Sequence, residues 1–156
     1  PTLGHQRMER TYQHMIDSHH SRRYYRRLFK IFLKYGHKGA VLLHCSQGKD
    51  RTGMGIVMLL LTLGVDFKTV KQDYLISQRT MVPYVKKKQD YYRQFHVNDN
   101  FLRDVKSLYT VSPDYLNSAM TEIKKVYGTW ANIEKKYLKL NPRKIKQIKQ
   151  IYLTTQ

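Results

Sequence analysis

Ala40-Val41-Leu42-Leu43-His44-Cys45-Ser46-Gln47-Gly48-Lys49-Asp50-Arg51-Thr52-Gly53 is the stretch around which the rest of the chain is read. Its first five residues are a short apolar run, the pattern of a buried strand. Gly48 and Gly53 then let the backbone turn tightly, and helical periodicity resumes to about Leu63, with Gly64 as its stop. Strand, glycine-marked turn and helix in that order can aim successive backbone N–H groups inward, at the positive end of the helix dipole. That arrangement suits an anion.

Outward from this stretch the pattern is mostly helical. Residues 18–35 carry Tyr24, Leu28, Ile31 and Tyr35 at three- and four-residue spacing, and Gly36 suits the stop. Asp66 is the expected N-cap of a helix from Phe67 to about Gln78. Residues 81–109 are polar and aromatic and break into two helices, a lid or an insertion. Ser112-Pro113 has the pattern of a helix start and Gly128 that of its end. A short helix is expected over 130–140, and Asn141-Pro142 opens a last basic helix ending near Leu153. The expectation is one domain, 1–156, with one strand and six or seven helices. A lone strand cannot pair with itself. Its partners are expected in the weakly patterned first residues or, by preference, upstream of Pro1.

Lys and Arg number 29 against 11 Asp and Glu, giving a net charge of +18, so anionic partners or substrates are expected. The single cysteine, Cys45, excludes an internal disulfide. The longest apolar stretch, residues 55–65, is far short of the ~20 residues that span a bilayer. Cytoplasmic and secreted locations both remain open.

A thiol has a free pKa of ~8.5, so a neutral-pH thiolate needs helix N-terminal amides or positive charge nearby. The loop offers both. Arg51, six residues after Cys45, can hold two phosphoryl oxygens in its planar fork. Thr52 is placed to hydrogen-bond the sulfur. Ser46, Gln47, Gly48 and Lys49 complete an expected phosphate-binding loop. A buried inert cysteine is disfavoured by so many polar neighbours. A Walker loop would need Ser or Thr where Asp50 stands, and a thiol-linked arsenate reductase would need further cysteines. His19-His20 is a weak metal pair, and neither metal nor cofactor is expected.

Residues 44–53 match the H-C-x-x-G-x-x-R-T-G signature of protein tyrosine phosphatases, and Gly48-Lys49-Asp50-Arg51 resembles the bacterial tyrosine- and phosphoinositide-phosphatase family, whose loop reads H-C-x-A-G-K-D-R-T-G. Gly64-Val65-Asp66, Asp73-Tyr74-Leu75-Ile76-Ser77 and the segment from Tyr115-Leu116 to Tyr127-Gly128 extend the resemblance over roughly residues 20–153. Gln47 departs from it, standing where the family has a small residue. The resemblance implies an α/β fold with a central, mostly parallel sheet flanked by helices. It also implies a phosphocysteine intermediate, no metal, and first strands that precede Pro1. It makes Asp50 the proton donor to the leaving group; the alternative for Asp50 is capping the helix and pairing with a cation.

His44 is expected to orient hydrogen bonds around the nucleophile, or else to be a satisfied buried histidine. Lys49 faces the pocket mouth, where it pairs a second phosphate of an inositol ring, or else it is a solvated surface lysine. The reaction class expected is hydrolysis of phosphotyrosine, with phosphoinositides as further substrates and peripheral contact with an anionic membrane. The rival reading is a non-enzymatic basic protein that docks on nucleic acid or membrane, its 13 tyrosines stacking on bases.

Overall fold

The fold is described for residues 2–153 in a computed structural model. Nine helical segments follow one another: α1 (Leu3–Asp17), α2 (His19–Tyr35), α3 (Arg51–Leu63), α4 (Phe67–Thr80), α5 (Val82–Arg93), α6 (Asp99–Tyr109), α7 (Pro113–Tyr127), α8 (Trp130–Asn132) and α9 (Pro142–Tyr152). A π-helical turn, Ile133–Tyr137, follows α8. Among the described residues no helix is long and apolar enough to cross a membrane.

The starts are set by short polar side chains that accept from orphan backbone N–H groups. Ser18 accepts from Ser21, Asp66 from Thr69, Ser112 from Asp114 and Asn141 from Lys144. Gly64 ends α3 with φ 92°, the left-handed conformation that a side chain would strain. The helices expected over 67–78, 112–128 and 141–153 therefore form as read, and residues 81–109 divide into α5 and α6. The expected helix over 130–140 is shorter, because its backbone widens into the π turn. There the Leu138 N–H donates to the Ile133 carbonyl at 2.8 Å, and Ile133 and Tyr137 turn inward.

Two expectations are corrected. The first residues are neither unpatterned nor extended: α1 buries Met8, Tyr12, Met15 and Ile16, spaced at four, seven and eight. It packs chiefly along α7 and α6. In α2 the buried stripe is Tyr25, Leu28, Phe29 and Phe32 rather than the one through Tyr24 and Tyr35, which stay exposed. Two adjacent tyrosines fit either stripe, and the Phe29–Phe32 pair selects the register.

The expected strand is the third difference. Among the described residues no β-ladder forms. Residues 40–45 form neither helix nor turn and alternate in environment: Val41 and Leu43 pack on the core while Leu42 is 88% exposed. Among the described residues no backbone–backbone hydrogen bond involves residues 40–47. The period of two is that of a strand, but a ladder needs a neighbour.

Leu43 meets α2 and α3 at Gly55. A Cβ there would come within 2.9 Å of a Leu28 methyl and 3.1 Å of a Leu43 methyl. Gly55→Val is therefore expected to overpack this crossing and cost about 1–3 kcal/mol, read as a lower urea midpoint at unchanged slope. An unaltered midpoint would mean that α2 does not press on α3 here.

Candidate active site

This segment delivers Cys45 to the N-terminus of α3, and Gly48 turns the loop with φ 73°. The Gly48 N–H donates to the Cys45 sulfur at 3.2 Å. Asp50 occupies the N-cap position of α3 but makes no side-chain cap bond, so the first amides of α3 are left for whatever sits in the loop. Partial burial pushes the Cys45 thiol up. Hydrogen bonding from the Thr52 hydroxyl and from the amides of Thr52, Gln47 and Gly48 outweighs that, lowering it to about 7. The buried Thr52 hydroxyl makes no well-formed hydrogen bond in the resting loop, yet lies near enough to the sulfur to favour its anion.

This gives a pH prediction. The thiolate fraction rises with pH through the lowered pKa, so alkylation of Cys45 by iodoacetamide should accelerate with a midpoint near 7. It should not wait for the ~8.5 of a free thiol. A midpoint at or above 8.5 would show that the amides do not act on the sulfur.

Arg51 is exposed and folds across the same loop, its guanidinium donating to the Ser46 hydroxyl at 3.0 Å. From below, the buried Tyr25 hydroxyl donates to the Arg51 carbonyl at 3.1 Å. Sulfur, amides and guanidinium thus share one open ring. The best-formed clefts elsewhere, of about 370–610 Å³, are lined by none of its residues.

The remaining candidates are placed differently from what the sequence suggests. Lys49 is neither at the mouth nor solvated: its side chain is 1% exposed and its ammonium sits 2.7 Å from Asp50 Oδ2. Asp50, 22% exposed, takes a second hydrogen bond on Oδ1 from Tyr12 at 2.8 Å. The Tyr74 hydroxyl donates to Tyr12 at 2.8 Å. Of the alternative for Asp50, the pairing with a cation is found, in Lys49, while the capping is not; phenol contacts are added instead. His44 points outward with Leu42 and is exposed, not buried. Gln47 is half-buried in the loop and contributes its amide.

Sequence reasoning missed Tyr12, Tyr25 and Tyr74. Tyr74 lay inside a segment quoted for its resemblance, and Tyr12 and Tyr25 carry no local signal. With Tyr115 and Tyr137 they are buried, hence unavailable to stack on bases. Among the described residues no three His, Cys, Asp or Glu side chains gather as metal ligands. The α5–α6 hairpin is tied to α1, where Asp104 accepts from the Gly4 N–H at 2.7 Å. Among the described residues no hydrogen bond or ion pair joins the hairpin to residues 45–53.

A sequence profile described as "Tyrosine phosphatase family" matches residues 1–154, beginning well before the region where the resemblance is legible by eye. A protein of Cupriavidus necator, whose name assigns it provisionally as a tyrosine-protein phosphatase, is 41% identical over 56 residues. That alignment covers 35% of this chain and 20% of the relative, so the chain spans about a fifth of that protein's length. With the signature loop of residues 44–53 at the head of α3 and the family profile running almost end to end, the chain belongs to the tyrosine phosphatase family.

Proposed function

We propose that the chain hydrolyses phosphate monoesters by covalent catalysis at Cys45, with phosphotyrosine in proteins as its substrate class. The carrying observation is the loop itself: a thiol lowered to about 7 by the amides of Gln47, Gly48 and Thr52 and the Thr52 hydroxyl, with the Arg51 guanidinium on the same ring. The thiolate attacks phosphorus, a sulfur–phosphorus bond forms, and the ester P–O bond breaks with its electron pair on the leaving oxygen. Asp50, which enters this step protonated on Oδ2 in place of its contact with the Lys49 ammonium, supplies that oxygen with a proton. Water then attacks phosphorus, gives its proton to the Asp50 carboxylate, and the sulfur leaves as thiolate. Loop amides and Arg51 hold the equatorial oxygens through both steps, so acceleration comes from position and charge. His44, exposed beside the loop, contributes no contact to these steps.

Support for phosphotyrosine comes from the family. Phosphoinositides, as further substrates, draw on surface charge rather than on Lys49. From Ser18 to Lys49 the chain contains no Asp or Glu, while α2 presents Arg22, Arg23, Arg27 and Lys30. Such a face suits peripheral contact with an anionic membrane at roughly 1 kcal/mol per nearby cation. The alternation and free backbone edges of residues 40–44 likewise support their being a strand of the family's central sheet.

The test is a panel of phosphotyrosine peptide, phosphoserine peptide and inositol lipids of one to three phosphates. Turnover of the phosphotyrosine peptide above the phosphoserine peptide is expected; no turnover of any member would overturn the reading. In the same panel Lys49→Met, which keeps volume and removes the buried ammonium, is expected to reduce all substrates by one common factor. A loss confined to inositol lipids would return Lys49 to the pocket mouth.

A further inference from the structure

We propose that Tyr12 is a positioning residue for the proton-transferring carboxyl: with Tyr74 behind it, its hydroxyl fixes how Asp50 meets the leaving-group oxygen. The inference rests on the proposed role of Asp50 and extends it to two residues that lie 38 positions before and 24 after that aspartate in the sequence.

The geometry is directional. Tyr74 donates to the Tyr12 oxygen, and Tyr12 donates to Asp50 Oδ1, each at 2.8 Å. A phenol has one proton to give, so a Tyr12 that accepts from Tyr74 is committed as donor to Asp50. Both rings are buried, at 0% and 4% exposure, and pack edge-to-face at 6.1 Å. Burial raises both phenols above their ordinary range, so the chain stays protonated at every pH where the thiolate works.

Asp50 needs such a hold. It stands at the first turn of α3 without capping it, and its other partner, Lys49, is its own chain neighbour. The Lys49 side chain is buried and helps seat the loop, but it approaches Asp50 from within the same loop, whereas the phenols approach from outside it. Tyr12 comes from the middle of α1 and Tyr74 from α4, two helices anchored independently in the core. They are neutral as well as buried, so they orient the carboxyl while favouring its anion less than a second cation would.

Proton donation matters most when the leaving group is a poor one, and this separates positioning from plain support. The intact protein and its Tyr12→Phe, Tyr74→Phe and Asp50→Asn variants would be assayed on para-nitrophenyl phosphate, which departs readily unprotonated, and on phenyl phosphate, which does not. Tyr12→Phe is expected to lower kcat/KM on phenyl phosphate about ten-fold, a part of the full acid–base contribution, because kcat/KM covers the steps through departure of the phenol and not the later hydrolysis common to both esters. On para-nitrophenyl phosphate kcat/KM should stay within about two-fold. Tyr74→Phe should shift the same ratio by less. A merely structural bond would lower both substrates together, or the melting temperature alone, and that outcome overturns the proposal. So does an unchanged ratio in Tyr12→Phe when Asp50→Asn shifts it. An unchanged ratio in Asp50→Asn instead removes Asp50 as the acid, and the positioning claim falls with that assignment rather than by itself. Should Tyr12→Phe fail to fold, the ratio in Tyr74→Phe decides.

Discussion

Cys45→Ser is expected to reduce hydrolysis of an aryl phosphate by at least about 10⁴-fold while the protein still binds a phosphate analogue such as tungstate. A hydroxyl in that position cannot be ionised near neutrality by the loop, because the same amides that lower a thiol to about 7 act on a group whose proton is held far more tightly. The anion cradle survives the change, since a serine oxygen can accept from the Gly48 N–H in place of sulfur, and the uncapped start of α3 and the Arg51–Ser46 bond involve other atoms. Loss of turnover with retained titration of tungstate by calorimetry separates chemistry from binding. Turnover within ten-fold of wild type would mean that another nucleophile acts.

Arg51→Lys has the next largest expected effect, a loss of roughly 10²–10³-fold in kcat/KM. An ammonium keeps the charge but holds one oxygen at a time, and it loses the planar fork that can match two equatorial oxygens at once. It also loses the reach across the loop to the Ser46 hydroxyl. The Arg51 side chain is exposed, so stability should move by no more than about 0.5 kcal/mol. The Tyr25 contact is made to the backbone carbonyl and persists in the variant. A kcat/KM close to wild type would show that loop amides alone carry the phosphoryl charge.

What could be read in the sequence was what is local. Cys45, Gly48, Arg51 and Thr52 act on one another across a single turn, so their spacing is nearly their geometry. Helix starts at Ser112-Pro113 and Asn141-Pro142, and the stops at Gly64 and Gly128, are likewise decided by two or three neighbouring residues. The illegible part depends on which helices meet. Nothing near Tyr12 announces that α1 crosses beneath Asp50, and nothing near Lys49 announces that a lysine in a polar loop is folded inward onto its neighbour. In α2 both Tyr24 and Tyr25 satisfied a helical stripe, and only the packing of Phe29 and Phe32 chose between them. Residues 40–44 keep the alternation of a strand, because alternation belongs to the sequence, whereas pairing belongs to whatever lies alongside.

The account stands on sulfur becoming bonded to phosphorus, and that bond can be sought directly. The protein would be mixed with an aryl phosphate carrying radiolabelled phosphate, quenched in acid within the first turnover and digested. Label is expected on the peptide containing Cys45, absent from the Cys45→Ser protein, and removed by brief exposure to iodine, which cleaves thiophosphate esters. Label recovered on a histidine or aspartate peptide, or burst release of phenol with no label on any peptide, would contradict it.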